Sequence, residues 1–192
     1  AIHNYSADGD EVLITDWHWG AYDSLIDYPN RRVASFQFLT EDGHFHVDAF
    51  REKVEDILSR QKNIVIILNG VANNPTGYCM SVEEWQAAVD VLKHTVEGKD
   101  KNAVLIPDVA YLDYSGEKQE CRRFFKVFGG LPKNILTIVA YTLSKGFTLY
   151  GQRQGAMIGI TSDADVAKEF VDINQYASLS LIHISEPTRR VV

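Results

Sequence analysis

Six apolar runs alternate with helical patterns along the chain, and this alternation limits the possible fold more than any other feature. The runs cover residues 11–16, 34–40, 63–70, 102–110, 135–142 and 155–162. Several are almost continuously apolar, which is typical of strands covered on both faces of a sheet. Helical patterns occupy residues 47–60, 81–98 and 164–176. The sequence therefore predicts a three-layer α/β fold with a mainly parallel sheet.

Two local signals support the helix assignments. Ser81 is followed three residues later by Glu84, which is the spacing of a capping box, and Gly98 closes the same pattern. The opening residues, AIHNYSADGD, have the composition of a helix end that runs into a turn.

The segment between the last two apolar runs predicts one departure from parallel pairing. Residues 143–154 show no helical period. A parallel crossover normally places a helix in the connection. We therefore expect the strands at 135–142 and 155–162 to pair antiparallel, joined by this lysine-containing segment.

Composition excludes several classes of function. The 192 residues are 45% hydrophobic, enough for one domain, and the net charge of −7 provides no basic field for a nucleic acid. No apolar run is long enough to span a bilayer and no signal peptide is visible, so we expect a cytoplasmic protein without a membrane partner. His44 and His46 flank Phe45 and alternate with it, as exposed residues at a solvated edge do. No third ligand stands at a metal-like spacing, so no metal site is predicted. Trp17 is expected in the core.

Polar side chains follow three of the predicted strands, where ligands bind in parallel α/β sheets. They are Asn73, Asn74 and Pro75 after the third run, Asp108 and Tyr111 near the end of the fourth, and Thr142, Ser144 and Lys145 after the fifth. Taken singly, an Asn-Pro-Thr-Gly run is usually a turn, and a lysine or arginine is usually a solvated charge. Their occurrence together, in chain order and at strand ends, favours a site.

Four motifs carry a resemblance to a known family. They are WHWGAY at 17–22, NNPTG at 73–77, DVAY at 108–111 and SKGFTLYGQRQG at 144–155. Over residues 1–178 the chain resembles the class I/II aminotransferases, the aspartate-aminotransferase-like enzymes of fold type I. The resemblance implies pyridoxal 5'-phosphate as cofactor and transfer of an amino group from an amino acid to a 2-oxo acid. It also implies a homodimer for the complete protein.

The resemblance assigns a role to each candidate residue around the cofactor ring. Lys145 is the catalytic lysine, since an amine is needed for the Schiff base with the cofactor and can then move a proton. Asp108 faces the ring nitrogen and keeps it protonated. Asn74 and Tyr111 hydrogen-bond the phenolate oxygen, and Trp19 stacks on the ring.

The phosphate end of the cofactor receives the remaining candidates. Arg153 can bind a phosphate bidentately, and Thr142 and Ser144 add hydroxyls. Gly146 and Gly151 are expected to let the backbone turn back between Lys145 and Arg153. There are two departures from the family: Asn73 stands where many relatives have histidine, and Tyr22 stands where some relatives have histidine.

The resemblance also predicts the organisation of the chain. Residues 1–178 match part of a cofactor-binding large domain, whereas residues 179–189 resemble a translated sequencing-library adapter. We therefore expect 179–192 to be a non-native tail. The family's glycine-rich phosphate loop and its arginine for the substrate carboxylate have no counterpart in this sequence, so the chain alone is expected to be inactive.

Two other functions stay open at this stage. A pyridoxal-phosphate lyase acting on a β-substituted amino acid would use the same lysine, aspartate and arginine. A regulatory module related to aminotransferases could keep the cofactor site as a ligand sensor without catalysis.

Overall fold

A computed structural model describes residues 2–28 and 30–175. The predicted tail at 179–192 lies outside these residues. The described part contains one six-stranded sheet. Its strands are β1 Glu11–Thr15, β2 Arg32–Phe36, β3 Asn63–Leu68, β4 Asn102–Pro107, β5 Ile135–Thr142 and β6 Gly155–Ile160.

Within the described residues, five named helices, one further helix and three 3₁₀ segments accompany the strands. The helices are α1 Ile2–Tyr5, α2 Ala21–Asp27, α3 Val47–Arg60, α4 Val82–Val96 and α5 Leu143–Gly146. The 3₁₀ segments are Leu112–Tyr114, Glu120–Phe128 and Tyr150–Gln152. Residues 164–175 are also helical. The three long helices were predicted. The helices α2 and α5 are too short for a sequence period to reveal them, and the 3₁₀ segments were not predicted.

The strand order is β2-β1-β3-β4-β5-β6. Every neighbouring pair is parallel except β5 and β6, which are antiparallel, so both the mainly parallel sheet and its one exception are confirmed. The chain leaves β1 for β2 on one side and then returns to β3 on the other. This reversal places a crevice beyond the carboxyl ends of β1 and β3, where ligands of such sheets bind.

Each face of the sheet packs on its own helical layer. One face packs against α3, α4 and the segment Glu120–Phe128, around the fully buried Trp85 and Phe50. The other packs against α2, with residues of α1 and of 164–175 at its margin. In β3 and β4 every residue after the first is buried, which explains their continuous apolar sequences.

The second strand begins and ends earlier than predicted. The apolar run suggested 34–40, but β2 is Arg32–Phe36. Beyond Phe36 the Phe38 N–H donates to Asp16 Oδ1 at 2.8 Å, and Leu39 forms an isolated bridge with Phe45. The aromatic residues after β2 are therefore buried by a turn that folds over the sheet, although they are not part of the strand.

The start of α4 is held by the predicted capping box. Ser81 Oγ accepts from the Glu84 N–H at 3.1 Å, and the Glu84 carboxylate accepts from the Ser81 N–H at 2.8 Å. We expect Ser81→Ala to lower the free energy of unfolding by about 1 kcal/mol, measured by urea denaturation. The exposed Ser24, on α2, provides a matched control, and its alanine variant should change stability by less than about 0.5 kcal/mol. Equal losses in the two variants would contradict a capping role.

Candidate active site

One cavity of about 390 Å³ lies at the carboxyl ends of β1, β3, β4 and β5. This volume is in the range of small-molecule sites. The cavity is lined by all eight candidate residues of the sequence analysis: Trp19, Asn74, Asp108, Tyr111, Thr142, Ser144, Lys145 and Arg153. An amine, a carboxylate, a guanidinium, hydroxyls and aromatic rings therefore surround one space.

The cavity also receives residues from a fourth strand end, that of β1. After β1 the chain turns sharply, because Asp16 Oδ1 accepts from both the Trp17 and the Phe38 N–H groups at 2.8 Å. The turn points Trp17 outward, and its side chain is 56% exposed, so the prediction of a core residue was wrong. Trp19, which is 49% exposed, forms one wall of the cavity.

The turn after β3 is organised by two buried asparagines. Asn69 Oδ1 accepts from the Asn74 N–H at 2.7 Å, and Asn69 Nδ2 donates to the Asp108 carbonyl oxygen at 2.9 Å. Asn73 Nδ2 donates to the Asn69 carbonyl oxygen at 3.0 Å, while its Oδ1 accepts from Thr76. Asn73 therefore stabilises the turn, and Asn74 is the residue that reaches the cavity.

The Asp108 carboxylate is held by donors on both of its oxygens. Oδ1 accepts from the Ala110 N–H at 3.0 Å, and Oδ2 accepts from the hydroxyl of Tyr22. Tyr22 is only 4% exposed. Burial, followed by the negative charge of Asp108, raises the pKa of the Tyr22 phenol well above its usual value. The phenol therefore stays protonated and continues to donate.

The amine of Lys145 lies between two phenol rings. Its Nζ is 5.4 Å from the ring centroid of Tyr111 and 5.3 Å from that of Tyr150. The Lys145 carbonyl oxygen accepts from the Tyr114 hydroxyl at 2.9 Å, which fixes the backbone that carries the amine. The lysine is partly buried, so its amine can be reached from the cavity.

The β5–β6 connection brings the amine and the guanidinium to the same cavity. The two ends of the connection are held together, because Thr142 at the end of β5 pairs with Gly155 at the start of β6. The sequence showed no helical period in this connection, but residues 143–146 form the single helical turn α5. Thr142 caps this turn, because its Oγ1 accepts from the Ser144 N–H at 3.1 Å. Arg153 ends the connection and donates from Nη1 to the Tyr150 carbonyl oxygen at 3.1 Å.

The glycines of this connection do not have the role that was predicted for them. The residues with a left-handed backbone are Thr148, at φ 54°, and Arg153, at φ 52°, rather than Gly146 or Gly151. Residue 146 has no room for a side chain, because a Cβ atom there would overlap the carboxylate of Asp113. Gly151 has open space around it.

The Asp113 carboxylate beside Gly146 gives a test of this packing. Asp113 accepts from the Tyr141 hydroxyl at 2.8 Å and from Arg122 Nη2 at 2.8 Å, so it cannot move without losing contacts. We expect Gly146→Ala to lower the free energy of unfolding by about 1 kcal/mol, since it displaces this carboxylate. Gly151→Ala is the control, and urea denaturation should show no loss of stability. If both variants are as stable as the original protein, the close approach of the Asp113 carboxylate to Gly146 does not restrict the side chain at position 146.

Six further residues line the cavity: Tyr22, Asn69, Ala110, Ala140, Tyr141 and Tyr150. The sequence contained a signal for Asn69, because it is the polar residue that ends the apolar run of β3. Tyr22 was noted only as a departure from relatives. Its contact with Asp108 joins residues 86 positions apart, which no local pattern reveals.

The histidines near residue 45 have separate surroundings. His44 is exposed, and its Nδ1 is 3.7 Å from Glu84 Oε1. His46 caps α3 by accepting from the Ala49 N–H, so the expectation of two solvated histidines was wrong for His46. Within residues 2–28 and 30–175 no group of three or more His, Cys, Asp or Glu side chains is placed to hold a metal ion. In the same ranges no helix has the length and apolar character needed to cross a bilayer.

Comparison with known proteins gives matches over most of the chain. The family model described as aminotransferase class I and II matches residues 4–188. Among solved structures, an aminotransferase from Anaerococcus prevotii is 37% identical with a TM-score of 0.86, over 88% of this chain and 42% of that one. A structure of the aromatic-amino-acid aminotransferase from Burkholderia pseudomallei, covalently bound to pyridoxal phosphate, is 22% identical over 85% of this chain and 39% of that one. Its TM-score of 0.68 shows a shared fold.

The curated relatives are longer than the matched region. The mitochondrial aspartate aminotransferase P2 of Lupinus angustifolius is 29% identical over 160 residues, which is 83% of this chain but 33% of the relative. The chain thus spans about a third of the length of the curated relatives it matches. The names of these relatives include mitochondrial, chloroplastic and cytoplasmic enzymes, so the cytoplasmic location stays a prediction.

Proposed function

Because the chain belongs to the class I and II aminotransferase family, we propose that it supplies the cofactor-binding part of a pyridoxal-phosphate-dependent aminotransferase. The complete protein would move an amino group from an amino acid to a 2-oxo acid. One observation carries the proposal: the amine of Lys145, the carboxylate of Asp108 and the guanidinium of Arg153 line the same cavity. The amino acid, the oxo acid and a homodimeric state are proposed from the family assignment.

The donor groups around the cavity fit the parts of pyridoxal phosphate. The cofactor offers an aldehyde, a pyridine nitrogen, a phenolate oxygen and a phosphate, and it supplies an electron sink for reactions at the substrate α-carbon. Lys145 is suited to the aldehyde, since a primary amine can bond to it covalently. Asp108 is suited to the ring nitrogen, because a fixed carboxylate favours a protonated pyridine.

The phosphate is assigned to the β5–β6 connection. The Tyr150 carbonyl oxygen accepts from one nitrogen of Arg153, and other guanidinium N–H groups can bind phosphate oxygens. Thr142 and Ser144 lie beside it on the cavity wall and carry hydroxyls. A cation with adjacent hydroxyls is a suitable environment for a dianion.

The face and the phenolate edge of the ring are assigned to three residues. Trp19 provides a flat indole surface on the cavity wall, which favours stacking. Asn74 and Tyr111 come from the ends of two neighbouring strands, β3 and β4, and both can donate a hydrogen bond to the phenolate oxygen. The Tyr111 ring also contacts the Lys145 amine, so the phenol lies near the covalent end of the cofactor.

In this arrangement the chain's own residues have distinct tasks. Lys145 would hold the cofactor, and its amine could carry a proton to and from the substrate α-carbon. Asp108 would hold a proton on the ring nitrogen. Arg153 would anchor the phosphate.

The proposal is tested with the complete protein, pyridoxal phosphate, an amino acid donor and a 2-oxo acid acceptor. We expect a visible absorption band on cofactor binding and the appearance of both a new amino acid and a new 2-oxo acid. Release of ammonia from a β-substituted amino acid, without a new amino acid, would instead support the lyase. Cofactor binding without any turnover would support the sensor. Absence of cofactor binding would reject the proposed site.

A further inference from the structure

We propose that Asp113 is a positioning residue, which fixes from outside the cavity the backbone of the helical turn that carries Lys145. The inference rests on the proposed function, because the place of this amine matters to catalysis only if Lys145 holds the cofactor and moves a proton. Asp113 belongs to the 3₁₀ segment Leu112–Tyr114 and does not line the cavity. It therefore acts through the backbone of α5 and touches no reacting atom.

The first support is that α5 is too small to hold its shape alone. It is a single turn of four residues, and helices of this length are not stable by themselves. Two N–H groups close the turn: that of Thr148 donates to the Lys145 carbonyl oxygen at 3.1 Å. That of Leu149 donates to the Leu143 carbonyl oxygen at 3.3 Å. Phe147, which follows α5, is 60% exposed, so contacts from neighbouring elements must supply the remaining rigidity.

The second support is that the 3₁₀ segment contacts α5 at two successive residues. The Tyr114 hydroxyl donates to the Lys145 carbonyl oxygen at 2.9 Å. The Asp113 carboxylate packs so closely against Gly146 that a Cβ atom there would overlap it. Tyr111, directly before the segment, has its ring centroid 5.4 Å from the Lys145 amine. One short stretch of chain therefore contacts both the backbone and the amine of the lysine.

The third support is the way in which the Asp113 carboxylate is held. Its Oδ2, the oxygen nearest to Gly146, accepts from the Tyr141 hydroxyl at 2.8 Å. Its Oδ1 accepts from Arg122 Nη2 at 2.8 Å. The side chain of Asp113 is 31% exposed, so the ion pair itself contributes little energy. Donors from two other elements, β5 and the segment Glu120–Phe128, instead fix the orientation of the carboxylate.

The Tyr141 phenol is a constant donor in this arrangement. Its hydrogen bond to Asp113, followed by desolvation, raises the pKa of the phenol above its usual value. Tyr141 therefore keeps its proton and continues to hold the oxygen that packs against Gly146.

A fixed backbone at Lys145 has a specific use in the proposed reaction. Proton transfer between the amine and the substrate α-carbon requires the two groups to be within hydrogen-bond reach. The lysine side chain is a flexible four-carbon stem, so the amine has a defined place only if the backbone has one. A misplacement of about 1 Å can slow such a step about 10²-fold. Loosening the turn is therefore expected to slow turnover more than it weakens cofactor binding.

The first test measures amide hydrogen exchange in the cofactor-free protein by mass spectrometry. We expect Asp113→Ala to speed exchange about fivefold in peptides that cover residues 143–149, because the turn loses a contact that holds it closed. Asp56→Ala is the matched control, since Asp56 also accepts from an arginine, Arg60 Nη2 at 2.7 Å, but lies on α3 outside the cavity. Unchanged exchange in Asp113→Ala, or equal changes in the two variants, would overturn the inference.

The second test separates position from binding in the cofactor-saturated complete protein. Asp113→Ala should lower kcat about tenfold, whereas KM for the amino acid and the dissociation constant of the cofactor should change less than about twofold. Asp113→Asn keeps an acceptor for Tyr141 and should recover part of the rate. If the alanine variant does not fold, the asparagine variant decides, by a lower kcat at unchanged KM. Equal losses of kcat and of cofactor affinity would mean that the role is only structural and would overturn the inference.

The closing experiment is a double-mutant cycle between Asp113→Ala and Gly146→Ala. Each single variant is expected to slow turnover, since one removes the carboxylate and the other displaces it. The double variant should be no slower than the slower single variant, because the space left by the carboxylate accepts the added methyl group. Losses that multiply in the double variant would overturn the inference. Failure of the cofactor to attach to Lys145 would reject the proposed function, while amide exchange in the cofactor-free protein would still decide whether Asp113 holds the turn.

Discussion

Replacing Lys145 with alanine is expected to abolish covalent attachment of pyridoxal phosphate and to lower amino transfer by about 10²–10⁴-fold or more. The amine between Tyr111 and Tyr150 would be lost, and with it both the covalent bond and the group that moves the proton. The cofactor should still bind, because Arg153 and Asp108 remain. Turnover of the complete protein and equilibrium dialysis of the cofactor measure the two effects separately.

The control for this variant is Lys133→Ala. Lys133 is exposed and does not line the cavity. Its loss should leave both turnover and cofactor attachment unchanged. If Lys145→Ala retained turnover within a factor of two, or if Lys133→Ala lost it, the assignment of the catalytic lysine would be wrong.

The second large effect is expected at Asp108. Asp108→Asn keeps the size of the side chain but removes the negative charge that holds the proton on the ring nitrogen. We expect removal of the substrate α-proton to slow by about 10²-fold or more, while cofactor affinity falls much less, since charge stabilisation acts mainly in the transition state. Asp108→Glu should retain part of the rate. The two quantities are measured as α-proton exchange and as cofactor dissociation.

An exposed carboxylate that does not line the cavity controls for charge alone. Asp90, on α4, lies outside the cavity. Asp90→Asn should leave α-proton exchange unchanged. The account of Asp108 fails if its asparagine variant loses the cofactor but reacts at the normal rate whenever cofactor is bound, because the carboxylate would then be structural.

The layered architecture was predictable because strands that are buried on both faces of a sheet have continuously apolar sequences. β3 and β4 are continuous apolar runs, and both lie in the middle of the sheet. The antiparallel pairing of β5 and β6 was predictable for a different reason: residues 143–154 show no helical period, whereas a parallel crossover normally contains a full helix. The helical turn α5 was missed because four residues are too few to show a period.

The candidate site was predictable where its residues follow strands directly. Asp108 and Lys145 come at the ends of apolar runs, so topology alone places them at one edge of the sheet. Tyr22 and Asn69 were not predicted as cavity residues. The contact of Tyr22 depends on how α2 packs against the sheet, and such tertiary packing cannot be predicted from any short stretch of sequence.

Backbone conformation in the β5–β6 connection was the least predictable part. Glycine is the residue that most easily adopts a positive φ, so Gly146 and Gly151 were expected to form the turn. The left-handed positions are instead Thr148 and Arg153. The hydrogen bond from Arg153 to the Tyr150 carbonyl oxygen accompanies this conformation, and such a compensating contact is visible only in three dimensions.

The most direct measurement of the central claim is the position of the covalent bond between protein and cofactor. Protein saturated with pyridoxal phosphate is treated with borohydride, which makes the bond permanent, and its peptides are identified by mass spectrometry. The account predicts that the visible absorption band disappears and that the cofactor is found on the peptide containing Lys145. A cofactor found on Lys133 or Lys168, or on none of the lysines, would contradict it.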